Sequence, residues 1–324
     1  MSEAIILRET GGPDVLRLED VEVGEPAAGE VRLRQTAIGV KFHDCYVRSG
    51  LYRTLKLPGI PGLEAAGTIE AVGPDVVGFR AGDRVAYFSA RYGAYASRRL
   101  IRATELVRLP DDADDRAAAS LMVKGLTAHM LLHRVHQIEP GHRILVHAAA
   151  GGVGVLLCQW ARHLGAEVIG TVGSTEKAEI ARRNGCNHVI LYREENFVDR
   201  VREITGGRGV DVAYDSVGKD TFFGSLDCLA MLGHLVNFGQ SSGPVAPFEV
   251  SKLSTRSATV TRPMLFHYTA DPTVRDRMAE DLFRVVSDGT LKVGSPQTFA
   301  LGDVAAAHRV LEARQTSGSV VLLT

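Results

Sequence analysis

Two short stretches carry residue types suited to holding a dinucleotide. The first is Ala148-Ala149-Ala150-Gly151-Gly152-Val153-Gly154, which follows an apolar run of strand character and opens a helical pattern. Small residues allow the tight turn and let a pyrophosphate reach the backbone. Gly154 permits close packing of helix on strand, and the helix N-terminus offers free N–H groups and partial positive charge. Ala stands where the G-x-G-x-x-G fingerprint has its first Gly. The second stretch is Thr171-Val172-Gly173-Ser174-Thr175-Glu176-Lys177. An NAD site presents Asp or Glu at this strand end to the ribose 2′-hydroxyl, and none stands here. A small residue, a hydroxyl and Lys177 one turn into the helix suit a 2′-phosphate instead, with Glu176 expected on a different face from Lys177. The pattern predicts NADPH rather than NADH; the bland alternative makes Lys177 a solvated surface lysine.

Other chemistries find less support. The four cysteines (Cys45, Cys158, Cys186, Cys228) lie far apart with no C-x-x-C. That argues against a cysteine-held zinc lobe and a disulfide framework, and for a reducing cytosol. His129, His133 and His136 recur at helical spacing, but the H-E-x-x-H arrangement is absent, so they read as a helix face and no metal is expected.

The elements that must position these residues change character along the chain. Residues 4–8, 15–21, 30–38, 67–72 and 84–87 are short and β-branched, punctuated by Gly-Pro, Pro-Gly and Gly-Asp, which predicts a small barrel or sandwich. Helices are expected at 115–121 and 127–136. A regular alternation follows, with strands at 143–148, 167–172, 188–192, 210–216, 234–238 and 258–261. The intervening helices are expected at 153–164, 175–184, 197–205 and 221–232, which together mean a doubly wound parallel sheet. A helix at 275–286 and a strand at 319–323 fall outside the alternation and are expected to return to the first domain.

The 324 residues suit about two domains. A net charge of −1 leaves no electrostatic footprint for nucleic acid or a membrane surface. No run reaches the roughly 18–20 apolar residues of a membrane span, and Glu3, Arg8 and Glu9 do not suit a signal peptide. A soluble cytoplasmic protein is expected.

A small β domain, a C-terminal dinucleotide domain and a returning chain end resemble the medium-chain dehydrogenase/reductase superfamily: a GroES-like β-rich catalytic domain (1–123 and 266–324) and a Rossmann domain (124–265). Where its zinc alcohol dehydrogenases place metal ligands, this chain has Leu63 in Pro61-Gly62-Leu63-Glu64, and Ile38-Gly39-Val40-Lys41. Without a Lewis acid, the chemistry turns to acceptors that are already electrophilic, such as a quinone or conjugated enone.

Further stretches resemble the zinc-independent NADPH:quinone oxidoreductases, the group that includes zeta-crystallin. They include Thr10 to Leu16, Tyr46 to Tyr52, Glu64 to Gly67, Lys124 to Ala128, His147 to Gly154, Tyr214 to Gly218, Phe238 to Gly243, Thr261 to Pro263 and Leu311 to Arg314. The resemblance implies that Gly151 to Gly154, including Gly152 and Val153, hold the pyrophosphate. It implies Gly173, Ser174, Lys177 and Tyr192 around the 2′-phosphate and adenosine. Phe42, Tyr46, Thr127, Met130, Ser216, Phe238, Gly239, Gln240 and Ser241 would lie along the nicotinamide half, with Met264, Phe266 and Arg314 closing over the cofactor.

Lys41, Tyr46 and Tyr52 are the candidate donors to the acceptor oxygen, beside Asp44. The family usually has Asn at position 41 and Asn rather than Gln at 240. Lys41 would either stabilise charge on the substrate oxygen or pair with Asp44 and do nothing chemical. The expected activity is hydride transfer to a quinone between the domains, by a homodimer. The alternatives are reduction of α,β-unsaturated carbonyl compounds, or a non-catalytic protein binding NADPH or RNA, although no basic-aromatic RNA motif is present.

Overall fold

The computed structural model describes residues 2–313, 316 and 318–324. The chain divides into two compact units: Met1–Val123 with Arg275–Phe283 and Lys292–Thr324, and Lys124–Val274 with Arg284–Leu291. The expected boundary at 123/124 coincides with the first change of unit. The return begins at 275 rather than 266, and residues 284–291 rejoin the second unit. The reason lies in Arg275, whose guanidinium donates to the carbonyls of Thr104 and Leu106 and fixes that turn of helix to the first unit.

The first unit opens with the antiparallel hairpin β1 (Ser2–Leu7) and β2 (Leu16–Val21). β3 (Glu30–Val40) follows, and the chain then turns into α1 (Phe42–Ser49). No helix was expected there. It forms because the Asp44 carboxylate accepts from the Lys41 N–H at 2.8 Å and Gly50 takes the left-handed C-terminal conformation at φ 84°. β4 (Glu64–Val72), β5 (Arg84–Phe88), β6 (Arg98–Arg102) and β7 (Leu106–Arg108) complete this stretch.

α2 (Asp115–Met130) is one helix continued by a π-turn at Leu131–Val135, where two helices were expected. An interior glycine costs a helix about 1 kcal/mol. Gly125 does not break α2 because Met122, Leu126 and Ala128 around it are buried.

The second unit carries β8 (Arg143–His147), α3 (Gly152–His163), β9 (Glu167–Val172), α4 (Thr175–Arg183), β10 (His188–Leu191), α5 (Phe197–Ile204) and β11 (Val210–Asp215). α6 (Phe222–Asp227), β12 (Leu229–Asn237) and β13 (Thr259–Thr261) follow. The helix expected over 221–232 therefore stops at Asp227. Leu229 pairs with Val210, and Leu232 at φ 64° marks an irregularity in β12. All neighbours in this six-stranded sheet are parallel, in the order β10-β9-β8-β11-β12-β13. Ile144, Leu145 and Val146 are fully buried, as a central strand covered on both faces requires.

The chain ends with α7 (Leu265–Tyr268), α8 (Pro272–Ser287), β14 (Gln297–Ala300), α9 (Val304–Glu312) and β15 (Val320–Leu323). β15 pairs antiparallel with β3 and parallel with β14. The first unit thus holds a seven-stranded mixed sheet ordered β14-β15-β3-β4-β5-β7, with β6 also on β3. No helix of the described residues is long and apolar enough to cross a membrane.

Candidate dinucleotide site and catalytic face

In the second unit the strand order reverses between β8 and β11, where open parallel sheets bind ligands beyond their carboxyl ends. Most of the expected cofactor residues fall there. Gly151 to Gly154 follow β8, Gly173, Ser174 and Lys177 follow β9, and Tyr192 follows β10. Ser216 follows β11, Phe238 to Ser241 follow β12, and Met264 lies beyond β13.

Gly151 caps α3 in extended conformation, leaving the first N–H groups of the helix without side-chain caps. A Cβ at Gly154 would strike the Ala148 carbonyl and sit 2.9 Å from Ala149 Cα, so helix and strand approach as the fingerprint demands. Ala148 itself holds φ 52°, a left-handed conformation that strains a residue with a Cβ. Over Gly152 lies Lys124, its Cε 2.9 Å and Nζ 3.1 Å from where a Cβ would stand. Farther along α3, the buried Trp160 receives His129 and His133 edge-on, with ring centroids 5.5 and 5.2 Å away.

At the β9 end, Ser174 caps α4 by accepting from the Lys177 N–H at 3.4 Å, and the Lys177 side chain is exposed. Tyr192 covers Gly173: its Oη lies 2.7 Å from a Cβ position there, and Arg193 Nε lies 3.5 Å away. The Ser174 hydroxyl holds the exposed Glu176 carboxyl below its usual range.

The loops beyond β11 and β12 are tied by polar groups that the sequence alone left unnoticed. Asp215 Oδ1 accepts from the N–H groups of Val217 and Gly218 and from the Thr221 hydroxyl, at 2.8–3.0 Å. Asn237 donates to the Gly239 carbonyl at 3.1 Å and accepts from Arg262 at 3.2 Å. A Cβ at Gly239 would stand 2.9 Å from Ser216 Cα, so the two loops touch through backbone. Thr261, Arg262, Pro263, Met264, His267 and Tyr268 enclose a cavity of about 360 Å³ beyond β13.

Thr127 is partly exposed, Met130 is 1% exposed, and Phe266 is half-buried on α7. Arg314 lies outside the described residues.

At the end of β8 the buried His147 joins β9 and α6. The Ser225 hydroxyl donates to the Thr221 carbonyl, so it accepts from His147 Nε2–H at 2.9 Å. Nδ1 then accepts from Thr171 at 2.9 Å, and burial lowers the imidazole to about 4.

The first unit assembles the other candidates on α1. The Lys41 ammonium pairs with Glu64. Glu64 is fully buried and its Oε2 also accepts from the Val123 N–H at 2.7 Å. The buried Asp44 carboxylate accepts from the Lys41 N–H and, at 3.1 Å, from the Tyr95 hydroxyl. That hydroxyl accepts from His308 Nε2, 3.1 Å away. His308 Nδ1 faces Arg48 at 3.4 Å, and Arg48 forks onto Glu312 at 2.6 and 3.0 Å. Burial raises the Asp44 carboxyl and lowers His308 to about 4.

Tyr46 and Tyr52 come together edge to face at 5.2 Å, with Phe42, 40% exposed, 6.3 Å from Tyr46. His43 continues the aromatic row at 5.4 Å from Tyr52, and its Nε2 meets the Tyr92 hydroxyl at 2.9 Å. Leu63 is buried, and no group of three or more His, Cys, Asp or Glu among the described residues could hold a metal ion. A cavity of about 650 Å³ beside Leu55 and Ile60 in this unit is lined by none of these candidates.

The residues missed from the sequence were Asp215, Asn237, Lys124 and Arg193. Lys124 fell between the helices expected at 115–121 and 127–136, and the structure places it inside the single helix Asp115–Met130.

The family described as alcohol dehydrogenase GroES-like domain matches residues 27–111, and zinc-binding dehydrogenase matches residues 152–281. The chain is 47% identical to a quinone oxidoreductase of Pseudomonas aeruginosa, covering 100% of both chains. It is also 47% identical to a 2-haloacrylate reductase of a Burkholderia species, covering 100% of this chain and 99% of the relative. The structure of Escherichia coli quinone oxidoreductase complexed with NADPH superposes with a TM-score of 0.95, at 42% identity over 100% of both chains. The chain belongs to the quinone oxidoreductase family, within the medium-chain dehydrogenases and reductases.

Proposed function

We propose, with that membership as the premise, that the chain catalyses NADPH-dependent reduction of quinones without a metal. The observation that carries the reading is the grouping of Ser174, an exposed Lys177 and Tyr192 around Gly173, at a strand end without an acid. When bound, NADPH supplies a hydride from its nicotinamide ring.

The chain's own residues bind and orient. Gly151, Gly152, Val153 and Gly154 receive the pyrophosphate on backbone N–H groups. Gly173, Ser174, Lys177 and Tyr192 take the 2′-phosphate. Thr127, Met130, Ser216, Phe238, Gly239, Gln240, Ser241, Met264 and Phe266 are the residues the family resemblance gives to the nicotinamide half, and Phe42 and Tyr46 are those it gives from α1. Tyr46 and Tyr52 are the hydroxyl donors to the acceptor oxygen, where negative charge develops as hydride arrives. Lys41 and Asp44 act chiefly by positioning α1, since one is paired with Glu64 and the other is spent on the helix cap. A quinone needs no Lewis acid to accept hydride, and Leu63 and the stretch Ile38-Gly39-Val40-Lys41 stand where the zinc-dependent relatives keep ligands. Four free, buried cysteines suit a cytoplasmic protein, and a homodimer is the assembly the family resemblance implies.

A second reading, reduction of activated alkenes, draws on the 47% identity to the 2-haloacrylate reductase. Purified protein would be followed by NADPH and NADH absorbance with ortho- and para-quinones, an enone and 2-chloroacrylate. Quinone turnover with NADPH, weakened by Lys177→Ala, supports the first reading. Turnover of the alkenes alone moves the function to the second. Equal use of NADH removes the argument from Lys177.

A further inference from the structure

Two of the four thiols face one another inside the second unit. Cys158 lies on the buried side of α3 with Leu157 and Ala161, and Cys186 stands in the link between α4 and β10. The Cys186 thiol donates to the Cys158 sulfur at 3.4 Å, across 28 positions of chain. The backbone around both residues enforces that approach. Gly185 at φ 104° lays the link against α3: a Cβ there would stand 2.7 Å from the Cys158 carbonyl oxygen. On β9, a Cβ at Gly170 would stand 2.6 Å from Cys186 Sγ, so the strand is bare where the sulfur rests. Gln159 Nε2 donates to Asn184 Oδ1 at 2.9 Å, and the Cys186 N–H donates to the Ala181 carbonyl at 3.1 Å. Hydride transfer uses neither thiol. Burial separates their roles, since Cys186 is 7% exposed and Cys158 is 0% exposed. The Cys186 thiol and burial together raise Cys158 well above its ordinary value, so it remains a thiol until Cys186 has reacted.

We infer that Cys158 and Cys186 form a reversible disulfide in the folded protein, with a hydroperoxide as the oxidant. The Cys186 sulfur attacks the peroxide O–O bond, which breaks; an S–O bond forms and one water leaves. The Cys158 sulfur then attacks that sulfenic sulfur. S–S forms, S–O breaks, and a second water carries away the remaining thiol proton. Two electrons pass from the sulfurs to the peroxide. A disulfide holds its sulfurs about 2 Å apart, so the pair closes by about 1.4 Å, within reach of two side-chain rotations. The bond joins α3 to the link between α4 and β10, and it is independent of the NADPH reading. In a reducing compartment such a bond is transient and senses oxidant.

The test exposes the reduced full chain to hydrogen peroxide at a level that leaves its circular dichroism unchanged. The protein is then quenched in acid, unfolded, alkylated with N-ethylmaleimide and digested for mass spectrometry. The expected product is one linked pair, Cys158 with Cys186, lighter by two hydrogen atoms and lost after dithiothreitol. Cys45 on α1 and Cys228 between α6 and β12, both held up at about 12 chiefly by burial, should carry the alkyl label. The linked pair should exceed any other cysteine oxidation at least about tenfold, the advantage of a neighbouring thiol over one in solution. Cys158→Ser should stop at a sulfenic acid on Cys186, captured by dimedone as the chain is unfolded, and Cys186→Ser should leave Cys158 alkylated.

Three results overturn the inference: Cys186 still reduced when Cys45 or Cys228 has reacted, sulfinic acid on wild-type Cys186 without the link, or a link that forms only in urea. Should either variant fail to fold, the melting temperature of oxidised wild-type protein decides. A rise that dithiothreitol reverses supports a bond that fits the native packing, and a fall overturns it.

Discussion

The strand-end rim of the second unit and the α1 face of the first are built from different materials. The rim is mostly backbone: the free N–H groups of α3, the touching loops at Gly239 and Ser216, and the turn that Asp215 fixes. The α1 face is mostly side chain. There the Lys41–Glu64 pair, the Asp44 cap, the Tyr95–His308–Arg48–Glu312 chain and the row of aromatic rings set the surface. A backbone site tolerates sequence change as long as small residues keep their places. A side-chain site changes character with each substitution. Relatives at 47% identity include both a quinone oxidoreductase and a 2-haloacrylate reductase.

The largest expected effect falls on the side-chain face. Lys41→Ala leaves Glu64 buried without its counter-charge and should cost about 3–5 kcal/mol in denaturant unfolding. A Lys41→Met and Glu64→Gln double variant should regain most of that stability. If the single variant unfolds like wild type, the ion pair does not organise this face and the contrast weakens.

Acid should strike the backbone-built unit harder. His147 has its folded-state value lowered from 6.5 to about 4, and so does the half-buried His136; in the first unit His308 is lowered likewise. Between these values the unfolded chain takes up protons that the native chain does not. The stability these groups confer is therefore complete above about pH 6.5 and is lost as pH falls toward 4, by up to about 3 kcal/mol for each fully buried histidine. Hydrogen exchange at pH 7 and pH 5 should show protection falling more in β8 than in β5, and His147→Gln should reduce the difference. Equal loss in both strands would break the comparison.

The smallest effect is a gain. Ala148→Gly removes the left-handed strain at φ 52° and should raise stability by about 1 kcal/mol, read as a shift in melting temperature.

What was legible in the sequence follows the same division. The parallel sheet could be read because its strands are continuous apolar runs bounded by helices of regular period, and the fingerprint turn because backbone chemistry demands small residues. The α1 helix went unread because its start signal is an acid at its third position behind a lysine rather than a hydroxyl cap. β12 was mistaken for helix at 229–232, where pairing with Val210 outweighs local propensity. Lys41 left two partners open, and neither could be chosen without knowing that β4 brings Glu64 beneath it.

Trp160 is the only tryptophan in the chain, and it sits buried on α3, the helix that the Gly151–Gly154 turn opens, flanked by two imidazoles. Its emission is therefore a single-site optical reporter of α3 that needs no label. Energy transfer from this indole to a bound reduced nicotinamide would count occupied sites.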